Sequence, residues 1–191
     1  MRSITYAACA SCAVLLASCA VEPDHFYTLT ALPEAARGPA VALTTHVILN
    51  VTVPSLIDRR ELVIETSADR VSILEHERWP GPLSDQVSQT LARDIEKRRS
   101  DVLVGDRGFD QVGTPPIKIK VDVVQMSAQK HGRAILEAHW HIVDAAAHAD
   151  QIGGDVFSAP LESEDYAAVA RGFSVCLSSL ADRLVENLPA R

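Results

Sequence analysis

His139-Trp140-His141 sets two imidazoles two residues apart, and in an extended chain that spacing puts both on one side, about 7 Å from each other. Two such nitrogens can reach a single metal ion, and with a third ligand they would make a metal-assisted hydrolase. Two solvated histidines on the polar side of a strand are the plainer reading, because no His-Glu-x-x-His or Cys-x-x-Cys accompanies them. Glu75-His76-Glu77 is a second triplet able to hold a cation, again without a partner in sequence. Nucleophilic chemistry has less support: there is no Gly-x-Ser-x-Gly elbow, and no glycine-rich phosphate loop follows a strand. Cys176 falls inside a helical apolar pattern, where a thiol serves as a small buried hydrophobe. No catalytic residue, no metal site and no cofactor is expected.

The thiol with a chemical use is Cys19. Leu16-Ala17-Ser18-Cys19 closes an apolar run from Ala7 to Ala17, preceded by the single cation Arg2. The pattern resembles a bacterial lipobox, in which a diacylglyceryl group is attached to the Cys sulfur and the chain is cut just before it. An ordinary secretory signal cut at a small-residue site is the alternative. The run is too short for a spanning helix, which needs roughly 20 apolar residues. Residues 1–18 are therefore read as removed, Cys19 as the lipid-bearing N-terminus, and residues 19–25 as anchor and short tether. Ala20 stands where an Asp would signal inner-membrane retention, so the expected location is the periplasmic face of the outer membrane.

Charge and cysteine count narrow the function further. Residues 1–18 hold one basic and no acidic residue, so the remainder of the 191-residue chain carries 17 Lys+Arg against 25 Asp+Glu. That acidic excess disfavours nucleic acid, which needs a basic footprint, and disfavours adhesion to anionic headgroups. Of four cysteines, Cys9 and Cys12 leave with the signal and Cys19 takes the lipid, so Cys176 has no intramolecular disulfide partner.

The elements that would carry these residues follow from periodicity. Phe26-Tyr27-Thr28-Leu29 reads as a short strand and 31–44 as a linker. His46–Val53 is a β-branched strand stopped by Pro54. Leu62-Val63-Ile64 and Val71-Ser72-Ile73-Leu74, joined through Ala68-Asp69, read as a hairpin. After Trp79-Pro80-Gly81-Pro82 comes a helix with Val87, Leu91 and Ile95 on one side, capped by Ser84 or Asp85 and ending in Lys97, Arg98 and Arg99. Val102–Val104 is a short strand before a loop running to Pro116. Ile117, Ile119, Val121 and Val123 alternate with Lys118, Lys120 and Asp122; after a turn at Lys130–Arg133, Leu136, Ala138, Trp140 and Ile142 alternate likewise. These predict a long antiparallel hairpin with one face in the core. Residues 145–154, ending in Gly153-Gly154, read as a loop. A final helix spans Ser163 to Asn187, with Tyr166, Val169, Phe173, Leu177, Leu180 and Leu184 along one stripe. The whole is a mixed-sheet α/β or α+β domain with two long amphipathic helices, over residues 26–191.

One surface stands apart from this frame. Asp58-Arg59-Arg60-Glu61 and Arg78-Trp79-Pro80 bring arginines and a tryptophan to a strand-to-helix corner. The tryptophan is either a buried anchor or an exposed aromatic–Arg patch for a partner. Arg59, Arg60, Arg78 and Trp79 are the partner-binding candidates.

In order and spacing the chain resembles the auxiliary lipoproteins of ABC-type intermembrane transport systems, the PqiC/YmbA-like family. The resemblance rests on the Cys19 box, Phe26-Tyr27-Thr28-Leu29, Val53-Pro54 with Ile57-Asp58-Arg59, Arg78-Trp79 with Pro82-Leu83, Leu136-Glu137-Ala138-His139-Trp140, and the Tyr166-led helix. Arg60, often a Pro in that family, and Pro80-Gly81, replacing a small-acidic pair, depart from the pattern. The family implies a three-layer α/β/α domain similar to anticodon-binding-like or TolB N-terminal domains. It also implies a non-enzymatic role beside periplasmic MCE-domain proteins and inner-membrane transporter components, in a ring of identical subunits handling phospholipid or a lipid-like cargo. A lipid-anchored metal-dependent hydrolase and a structural envelope lipoprotein are the alternatives.

Overall fold

The alternation in Ile117–Ala128 builds the centre of the molecule. Its odd-numbered residues through Val123 are buried and its lysines exposed, as a half-buried strand requires. A computed structural model describes residues 22–32, 43–105, 115–129 and 132–189. The signal segment, Cys19, Ala20, most of the 31–44 linker and Lys130-His131 of the expected turn lie outside the described residues. In chain order the elements are β1 (His25–Phe26), β2 (Thr45–Thr52), β3 (Glu61–Ser67), β4 (Arg70–Arg78), α1 (Leu83–Arg98), β5 (Val102–Val104), β6 (Ile117–Ala128), β7 (Arg133–Asp144), β8 (Ala149–Pro160) and α2 (Tyr166–Glu186).

Five strands form one mixed sheet in the order β5-β2-β6-β7-β8. β2 runs parallel to both β5 and β6, while β6, β7 and β8 are successively antiparallel. A bulge between Val123 and Gln125 reverses the parity of β6, so that Met126 and Ala128 become the buried residues and Val124 faces out. The smaller sheet has the order β1-β4-β3 and joins the larger at a single bridge from Glu65 to Gln129.

The apolar side of the large sheet is covered by both helices lying against each other, α1 over β2 and β5 and α2 over β7 and β8. Val87, Leu91 and Ile95 from α1 and Leu177, Leu180 and Leu184 from α2 are fully buried there. Each contributes about 1.5–3 kcal/mol relative to exposure. The mixed α/β class and the two long amphipathic helices are as expected. Among the described residues both helices lie on the one apolar face of the large sheet. On the other face Lys118, Lys120 and Asp122 meet solvent.

Four local expectations change. The strand expected at Phe26–Leu29 is confined to His25–Phe26, although Tyr27 N–H still donates to the Arg78 carbonyl. Helix α2 starts at Tyr166, not Ser163, because Asp165 takes the cap and accepts the Ala168 N–H at 2.7 Å. Neither Ser84 nor Asp85 caps α1. Its first turn is satisfied from outside, by Asp58 Oδ1 accepting the Ser84 N–H at 2.9 Å. The 145–154 segment is a loop only over its first residues, since from Ala149 it pairs with β7 as a full strand. Gly153 sits directly opposite Trp140 in that pairing. A Cβ there would lie 2.6 Å from the indole, so the glycine lets the ring lie across the strand.

Residues 30–32 are strapped across both helices. Thr30 N–H donates to Ser174 Oγ at 3.1 Å, Leu32 N–H to Asp94 Oδ1 at 3.2 Å, and Lys97 Nζ to the Ala31 carbonyl at 2.7 Å. Asp94 is completely buried, with Arg98 Nη1 3.3 Å away. Burial raises its pKa, and the Arg98 charge and hydrogen bond only partly offset this. A carboxyl whose folded pKa is raised stabilises the fold fully below the unfolded value, and that contribution is lost as pH rises through the folded one. Asp94→Asn removes the burial of charge while keeping an acceptor for Leu32, and Arg98 retains Asp182 at 2.6 Å. Its melting temperature relative to wild type should therefore climb as pH rises from the ordinary carboxylate range upward. Thermal melts across that range check the sign, and a relative fall would contradict it.

Candidate functional site

Two of the four partner-binding candidates are linked through one backbone bond. Trp79 N–H donates to the Arg60 carbonyl at 2.6 Å, closing the β2–β3 loop against the end of β4. The loop itself is tightened by Ile57 and Asp58 N–H groups, both donating to the Pro54 carbonyl at 3.0 Å. Arg59 Nε meets Glu61 Oε2 at 3.2 Å. Glu61 pairs with Arg78 across the hairpin, and its carboxyl is held below the usual range by its own backbone N–H and then by Arg59. Arg78 Nε donates back to the Glu75 carbonyl at 2.6 Å, and its Nη1 lies 3.6 Å from Asp24 Oδ2.

Trp79 does not share that surface. It is 1 % exposed and belongs to the main core, so of the two readings open for it the structure places it as the buried anchor. A tryptophan cannot meet a partner from inside the core, and here it fills the junction between β4 and α1. Arg60 is exposed, and Arg59 and Arg78 are half-buried. The corner thus presents arginines on a tryptophan foundation.

The sequence pattern did not reveal what Glu75-His76-Glu77 does. The N-terminal segment lies along it. His76 Nδ1 is 3.1 Å from Asp24 Oδ1 and its Nε2 4.0 Å from Glu22 Oε2. Glu77 accepts from the Tyr27 hydroxyl and sits 3.2 Å from His25 Nδ1. Burial, then the bond to Glu77, raises the Tyr27 pKa. With the parallel β1–β4 pairing, these contacts clasp residues 22–27 to the same corner that carries the arginines.

The histidine pair is on one face of β7, as its spacing requires, and turns away from the helices. His139 is exposed, and His141 Nε2 is engaged by Asp150. Among the described residues no group of three His, Cys, Asp or Glu side chains is placed to hold a metal ion. Cys176 is buried in α2, with its thiol directed at the Ala134 carbonyl and its pKa pushed up to about 11 by burial. It is a packing residue with little thiolate at neutral pH. No helix among the described residues is long and apolar enough to cross a membrane.

The family model described as ABC-type transport auxiliary lipoprotein component matches residues 27–185. Two solved structures share the fold. One is the crystal structure of an uncharacterized protein, with TM-score 0.71 and 13% identity, covering 88% of this chain and 100% of that one. The other is protein XCC0632 from Xanthomonas campestris, described as DUF330, with TM-score 0.62 and 18% identity, covering 84% of this chain and 91% of that one. At those identities the likeness is one of fold. No curated protein matches the chain in sequence.

Proposed function

The chain belongs to the family of ABC-type transport auxiliary lipoprotein components, and from that premise we propose that it is a non-enzymatic periplasmic subunit of an intermembrane lipid transporter, anchored to the outer membrane through acyl chains on Cys19. The observation that carries this reading is the family match over residues 27–185, which takes in every named strand but β1 and nearly all of α2. The clasp gives it a geometry. Glu22 follows Cys19 by three residues, a reach of about 10 Å at full extension. An acylated Cys19 would then hold the β1–β4 corner, with Arg59, Arg60 and Arg78, close to the membrane surface.

In this reading the domain docks the far end of a conduit formed by a periplasmic MCE-domain protein, as one of a ring of identical subunits. Inner-membrane components, including an ABC ATPase, supply the work, and the cargo is phospholipid or a similar amphiphile. The exposed Arg60 supplies a cation to the docking contact, supported from behind by Trp79. Affinity purification of the full chain from detergent-solubilised envelopes tests this. Wild type should bring down an MCE-domain protein and transporter subunits, and Arg60→Glu should bring down markedly less. Recovery of no transport component with wild type would overturn the proposal, and unchanged recovery with Arg60→Glu would remove the corner from it.

A further inference from the structure

Four aliphatic side chains outside the core gather where the two sheets meet. Leu56 of the β2–β3 loop, Val71 and Ile73 of β4 and Val124 of β6 are each 41–53% exposed. The bulge in β6 drops Val124 from the β7 pairing, and Ile73 stands opposite Val63 in the β3–β4 hairpin. Leu56, Val71 and Val124, with Pro54, Ile57 and Val63, line a cleft of about 140 Å³ between that hairpin, the loop and β6. The polar side chains along it are already engaged. Gln125 Nε2 donates to Ser127 Oγ at 2.9 Å, and Glu65 Oε2 accepts from Gln129 Nε2 at 3.4 Å. The walls left for an occupant are aliphatic.

We propose that this cleft takes the end of a phospholipid acyl chain. The size suits one: an apolar cavity of about 150 Å³ admits benzene, so about six carbons of a chain fit here. A peptide segment fits less well. Its N–H and C=O groups would be buried against aliphatic walls without partners, whereas an acyl chain has no polar group to satisfy. Position points the same way, and this part of the argument rests on the anchoring proposed at Cys19. β1 runs parallel to β4, so the chain before His25 leads toward the Arg70 end of β4, where Val71 stands. Glu22 and Asp24 both lie beside His76 on that path. Cys19 is three residues further on, a reach of about 10 Å, which equals the span of three residues from Leu74 back to Val71. A lipid-bearing Cys19 thus brings the cleft to the leaflet whose lipids it takes up. Every subunit of a ring would present its cleft to the same membrane.

Photolabelling of the full chain tests this, in dodecyl maltoside micelles carrying phosphatidylethanolamine with a diazirine at the end of one acyl chain. Contact in a micelle does not depend on the anchor. Label should collect at Leu56, Val71 and Val124 several-fold above Ile152, which is 81% exposed on the outer strand of the large sheet and reports non-specific contact. Leu56→Asp with Val124→Asp, both at exposed positions and checked for fold by melting temperature, should lower label at Val71 about tenfold, because the chain would lie against two carboxylates. Label no denser at the cleft than at Ile152 would give it to another occupant, a protein segment or a second copy, and overturn the proposal. Undiminished label at Val71 in the double aspartate variant would overturn it too. Flotation of the same chain on vesicles of phosphatidylethanolamine and phosphatidylglycerol reads the anchor separately. A chain labelled at the cleft that fails to float would end the Cys19 reading and uphold the cleft, and a floating chain without cleft label would end the cleft alone.

Discussion

Cys19→Ser should empty the membrane-bound pool of this protein and abolish its incorporation of labelled fatty acid. A serine hydroxyl cannot form the thioether, so the variant carries no diacylglyceryl group. Each buried methylene is worth about 0.8 kcal/mol, and one acyl chain gives a partition constant of only about 10⁴ M⁻¹, whereas two or three chains hold a protein for its lifetime. The folded part has little of its own to replace them. It is acidic, and among the described residues no helix is long and apolar enough to span a bilayer. The difference between wild type and variant should be close to all-or-none in density-gradient fractions. A serine variant that still bands with outer membrane in the same share would show that something other than Cys19 fixes the domain there.

The largest effect on stability is expected from Trp79→Ala. Trp79 heads the fully buried side chains and fills the junction between β4 and α1. Truncating a buried aromatic to alanine costs about 3–5 kcal/mol, since the junction cannot collapse around the space it leaves. For a domain of this size each kcal/mol moves the melting temperature by about 2–4 °C, so a fall of roughly 10 °C is expected. Trp79→Phe, which keeps most of the apolar volume, should recover much of it. A Trp79→Ala variant melting within a degree or two of wild type would contradict the anchoring role. Because the ring is inside the core, any loss of partner recovery in Trp79→Ala should track the loss of fold.

What the sequence made legible follows the strength of its periodicity. β6 and β7 alternate cleanly because one face is buried and the other wet, and α2 carries a stripe of apolar residues because it lies on that buried face. β8 escaped because it is an edge strand whose exposed positions mix apolar and polar residues, and its glycines, which read as loop signals, answer to Trp140 and His139. The single helical layer was equally hidden, since amphipathicity states that a helix has a buried side and not which sheet face receives it. At the corner, residue types pointed to the right place but not to the division of labour. Trp79 goes inside, while Arg60 stays out. The clasp of residues 22–27 onto Glu75-His76-Glu77 depends on pairs about fifty residues apart, and nothing local in either segment names the other.

The most direct measurement is the intact mass of the N-terminal peptide from protein extracted out of native envelopes. The account predicts a chain beginning at Cys19 whose sulfur carries a diacylglyceryl group. A peptide that starts elsewhere, or an unmodified thiol at position 19, would contradict it and detach this domain from the membrane on which its role in transport depends.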